Sequence, residues 1–143
     1  SNAMNASGAL EALARADSAI GEIQAFLETS PESLMVLTSD SDAGGLQVMS
    51  HPRTVKPGQP LPAVSIGGGV LKGAGGVHGF PFVSAPDAAG VTRNFAIGYV
   101  GHADTAGGIL VRAAGRGAER VTPLMDNTDV YKLMYWGLFG SEL

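Results

Sequence analysis

The chain contains no cysteine, which excludes disulfide frameworks, cysteine-ligated zinc ribbons and thiol catalysis. Charge is also scarce: charged residues make up 15%, and the nine Lys and Arg are scattered. No run of positive charge exists to track a phosphate backbone, and the net charge of −4 with a pI near 5.2 points the same way. Nucleic acid is not an expected partner. No apolar stretch approaches the roughly 20 residues that span a bilayer, so no membrane partner is expected either. The segment from Ala9 to Leu27 holds Glu11, Arg15, Asp17 and Glu22, with Glu28 just beyond. That is too much charge for the apolar part of a signal peptide.

What remains is a globular composition, 45% hydrophobic over 143 residues, enough for one domain with a modest core. Ser1-Asn2-Ala3 ahead of Met4 reads as the remnant of a cleaved tag, leaving 4–143 as the body of the fold. Glycine is abundant at 21 residues, much of it between Gly44 and Gly117. It predicts a loop-rich middle.

Residues 8–28 have the period of an amphipathic helix, with Leu13, Ala16, Ile20, Ile23 and Leu27 on one face. Ser7 is the expected N-cap, and Ser30-Pro31 stops the helix because proline cannot continue it. Leu34–Thr38 is a short continuous apolar run, as in a strand buried on both faces of a parallel sheet. Leu46–Met49 and Phe95–Val100 are further strand candidates inside 46–100, which otherwise reads as an irregular insertion. His51 to Pro62 holds four prolines. Gly108–Ala114 reads as a second buried strand, and Asp126 with Asp129 as a capping pair ahead of a helix over Val130–Phe139. This order predicts an α/β layer architecture.

Gly67–Gly73 lacks the Gly-Lys-Ser/Thr ending of a phosphate loop, so turn geometry explains its glycines. His51, His78 and His102 do not have metal-ligand spacing, and His51 and His78 read as solvated loop residues. Tyr131, Tyr135 and Trp136 lie at helical spacings suited to a core or an interface.

Two segments resemble the alkaline phosphatase family. Leu34-Met35-Val36-Leu37-Thr38-Ser39-Asp40-Ser41-Asp42-Ala43-Gly44-Gly45 is similar to that family's strand followed by Thr-Ala-Asp-His-Glu-Thr-Gly-Gly. The stretch from Asp104-Thr105-Ala106, through Ile109–Ala114 and Gly115-Arg116-Gly117-Ala118-Glu119, to Met125-Asp126-Asn127-Thr128-Asp129-Val130 is similar to its C-terminal end. With the leading helix these cover about half of the chain. The resemblance implies the C-terminal part of a mostly parallel sheet with flanking helices, and a metal-dependent phosphomonoester hydrolase whose nucleophilic serine lies upstream of Met4. Asp40 and Asp104 would be metal ligands converging on one site at the strand ends, with Ser41, Asp42 and His102 in support. The family uses zinc and magnesium. Here Ser41 and Asp104 stand where the family has histidines, and oxygen donors favour Mg²⁺, Mn²⁺ or Ca²⁺.

The resemblance implies a phosphomonoester substrate for the complete enzyme and a periplasmic or extracellular setting. Stripped of its neighbours, a strand at 34–38 leaves an unpaired edge, which predicts a homo-oligomer. The alternatives are part of an enzyme similar to cofactor-independent phosphoglycerate mutase, or an assembly module that kept the fold and lost its metals.

Overall fold

The computed structural model describes residues 3–50, 55–56 and 58–141. Its described elements run α1 (Ala6–Thr29), β1 (Leu34–Leu37), β2 (Gln47–Ser50), β3 (Val70–Lys72), β4 (Phe82–Val83), β5 (Asn94–Tyr99), β6 (Arg112–Gly115), a 3₁₀ turn (Ala118–Arg120) and α2 (Asn127–Phe139). The chain is mixed α/β, and it divides into two compact units.

The first unit comprises residues up to Ala14 together with Ser41–Gly108. β5 is its centre, pairing with β2, β3 and β4, all antiparallel. Ala96, Ile97 and Tyr99 of β5 are buried, together with Leu61 and Leu71. Leu61, Leu71 and Ile97 each contribute roughly 1.5–3 kcal/mol of transfer free energy. An irregular insertion was the expectation for 46–100, yet this stretch carries a four-stranded sheet. The glycines are what permit it. A Cβ on Gly73 would lie 2.1 Å from the Phe80 carbonyl, and one on Gly79 2.2 Å from the Ala74 carbonyl. Backbone must approach backbone there, so glycine density marks tight pairing and not its absence. The first turn of α1 joins this unit: Ala6 packs with Ile97 and Tyr99. Asn5, two residues earlier than the expected Ser7, caps the helix by accepting from the Gly8 N–H at 3.0 Å.

The second unit comprises Arg15–Asp40 and Ile109 onward. β1 and β6 form a two-stranded antiparallel ribbon, with Leu34 opposite Gly115 and Leu37 opposite Arg112. Both expected strands exist, but every pairing among the described residues is antiparallel, and this corrects the parallel sheet. β1 is half-buried rather than buried on both faces, and β6 begins only at Arg112, leaving Leu110 exposed. An apolar run reports burial and not strand direction. α2 starts where the capping pair predicts: the Asp126 N–H donates to Asp129 Oδ2 at 3.1 Å. Leu133 is its buried anchor. Two guanidinium groups lie over the Trp136 ring, Arg120 at 4.0 Å and Arg116 at 5.2 Å from its centre. Gly117 has φ +80, and a Cβ there would fall 2.2 Å from the indole, so only glycine fits under the ring.

Candidate functional site

The expected site residues divide between the two units. Asp40 follows β1 in the second unit, while Ser41, Asp42, His102 and Asp104 belong to the first.

In the first unit, Ser41–Gly45 makes a tight turn through left-handed backbone at Ala43 (φ 45), Gly44 (φ 87) and Gly45 (φ 61). The Gly44 carbonyl accepts from Val100 N–H at 3.0 Å and Gly101 N–H at 3.4 Å. A side chain on Gly44 would strike the Gly101 carbonyl at 2.6 Å. The turn aims Asp42 at the following loop. Its carboxylate accepts from the Thr105 N–H at 2.7 Å, from the Thr105 hydroxyl, and from the Gly107 N–H at 3.2 Å. The Thr105 hydroxyl, then its N–H, and then the Gly107 N–H hold Asp42 below the usual carboxylate range. Asp42 thus clasps the two resembling segments together, and Thr105 is the partner that residue-type reasoning passed over. No local signal marks it, because Thr105 lies 63 positions from Asp42. Asp104 and His102 are exposed on the same loop. The Ser41 hydroxyl is turned to local use, accepting from the Ala43 N–H at 3.3 Å.

In the second unit, Asp40 lines a cleft of about 330 Å³ together with Thr38, Ser39, Asp126 and Asn127. The polar lining is all hydroxyl, carboxylate and amide, with no imidazole. Such a donor set suits a hard cation better than zinc. Among the described residues no three His, Cys, Asp or Glu side chains gather as a metal group, so a tetrahedral zinc set is not present within them. His78 is exposed with φ 58, and His51 lies outside the described residues. Gly67–Gly69 leads into strand β3, not into the helix that a phosphate loop requires. Among the described residues no helix is long and apolar enough to cross a membrane.

No family model, curated protein or solved structure matches the chain.

Proposed function

We propose that this chain is the C-terminal portion of a metal-dependent phosphomonoester hydrolase resembling the alkaline phosphatases, contributing cation-binding carboxylates but not the nucleophile. The observation that carries the reading is the clasp of Asp42 on Thr105 and Gly107. It ties the end of the first resembling segment to the start of the second, across 63 residues of chain. The β1–β6 pairing supports it by joining the strands of the same two segments. In this reading Asp40 and Asp104 each offer a carboxylate to a divalent cation, Mg²⁺, Mn²⁺ or Ca²⁺ in preference to zinc, with the remaining ligands and the attacking serine supplied by the rest of the enzyme.

Calorimetric titration of the chain with Mg²⁺ and Mn²⁺ tests the ligand assignment. Weak binding is expected, reduced in both Asp40→Asn and Asp104→Asn. Binding that neither substitution changes would remove the assignment. The chain alone is expected not to hydrolyse an aryl phosphate. Metal-dependent turnover that disappears in a Ser39→Ala, Ser41→Ala double variant would place a nucleophile here and overturn the reading.

The second reading, an assembly module without metal chemistry, is favoured by the apolar side chains that α1 and α2 expose, among them Leu13, Phe26, Tyr131 and Phe139. Failure of every metal titration would support it over the first.

A further inference from the structure

β1 has two edges, and the structure accounts for one. The Arg116 N–H donates to the Ser33 carbonyl at 2.9 Å, one step beyond the Leu34–Gly115 register. Hydrogen-bonded and non-bonded pairs alternate along an antiparallel ladder. Met35 and Leu37 therefore exchange bonds with β6, while the backbone N–H and C=O groups of Leu34 and Val36 point to the opposite side. Among the described residues no strand pairs there. The edge also lacks the usual protections, since Leu34–Leu37 contains no lysine, no proline and no charge.

We propose that this edge pairs with the same edge of a second copy, antiparallel about a two-fold axis at Met35. A strand edge is self-complementary in that sense, because a two-fold contact sets identical strands antiparallel. Charge selects the register. Centring the axis on Val36 would set Glu32 opposite the partner's Asp40 twice, a like-charge arrangement. Centring it on Met35 sets Glu32 opposite the partner's Thr38 and leaves no acidic pair. Leu34 then exchanges both backbone hydrogen bonds with the partner's Val36, and the reverse pair does the same. The side chains agree with the backbone. Leu34 and Val36 line a cleft against Met134 and Leu138 of α2, and those two α2 residues are 51% and 77% exposed. Adding the partner's Leu34 and Val36 on the same face extends that apolar floor into an interface core. The pairing uses only the edge of β1 and the face of α2, so it stands apart from any metal or phosphate chemistry.

The absence of cysteine makes the register directly readable. Met35→Cys carries one thiol, opposite itself across a non-bonded pair where Cα atoms lie about 4.5 Å apart, within disulfide reach. Wild-type protein is expected to sediment as a dimer. Under mild oxidation Met35→Cys is expected to cross-link about a hundredfold faster than Leu124→Cys, a fully accessible control, because pairing raises the effective thiol concentration. Val36→Cys should cross-link at the control rate. A wild-type monomer at every concentration reached overturns the pairing, however the variants fold. Faster cross-linking of Val36→Cys overturns the register, and a Met35→Cys rate equal to the control places any dimer on another surface and overturns the interface.

Discussion

Asp42 directs its carboxylate at the backbone and hydroxyl of Thr105 and at the Gly107 amide, and this decides what the residue can do. A carboxylate whose two oxygens together accept three hydrogen bonds is a poor ligand for a cation but a good fastener for a loop. Replacing it by alanine is expected to speed amide exchange at Thr105 and Gly107, while the Val100 amide, bonded to the Gly44 carbonyl, keeps its protection. Unchanged exchange at Thr105 would show that the loop holds without the clasp. The pH dependence has a definite sign. The folded carboxyl titrates below its ordinary value, so the clasp adds stability above the unfolded value of about 3.9. That contribution is lost as pH falls through the lower folded value. Protection at Thr105 and Gly107 should fade on acidification before that at Val100. The sequence showed Asp42 as a turn or supporting carboxylate. It did not show the partner, because Thr105 is 63 positions away and no local period links the two.

At the scale of elements, the helices were legible and the sheets only in part. α2 announced itself through Asp126, Asp129 and the spacing of Val130, Leu133 and Met134, and all of these are local signals. The strands at 34–37, 47–50 and 94–99 were visible as apolar runs, but their directions were not. Strand direction depends on which runs meet across long stretches of chain, and that is a tertiary property. The stripe on α1 holds as a helical period, yet Leu13 and Ile23 on it stay exposed. A period predicts which residues share a face, not what covers it. α2 offers a quantitative check. Leu133 is its one buried residue and borders the same cleft as Trp136. Leu133→Ala should therefore destabilise the second unit by about 2–5 kcal/mol. Trp136 is the single tryptophan, so its fluorescence follows that unit alone during urea unfolding. A midpoint unmoved by the substitution would mean that α2 contributes no packing to its unit.

For the molecule as a whole, composition misleads in its glycine and informs in its charge. Glycine density in 46–100 predicts a loop-rich stretch, whereas the first unit's buried side chains lie largely within it, at Leu61, Leu71, Ala96, Ile97 and Tyr99. The error has a physical origin: at Gly73 and Gly79 glycine allows one backbone to touch another, and a sequence does not reveal which glycines do so. Charge, in contrast, transfers directly to behaviour in solution. Exposed large apolar side chains are spread over the described surface, from Val48 and Ile66 to Leu110, Leu124 and Leu138. Such a surface depends on net charge to keep molecules apart. The charge is small, −4 at neutral pH, and vanishes near pH 5.2. Carboxylate protonation below neutrality removes repulsion while leaving the apolar area unchanged. Light scattering at fixed protein concentration should therefore rise steeply as pH is lowered toward 5.2 and fall again on return to about pH 8, where repulsion is restored. Added salt at the higher pH should screen that repulsion and move scattering in the acidic direction. Scattering that stays flat across this range would mean that the exposed apolar side chains do not drive association, and that charge is not what keeps the protein in solution.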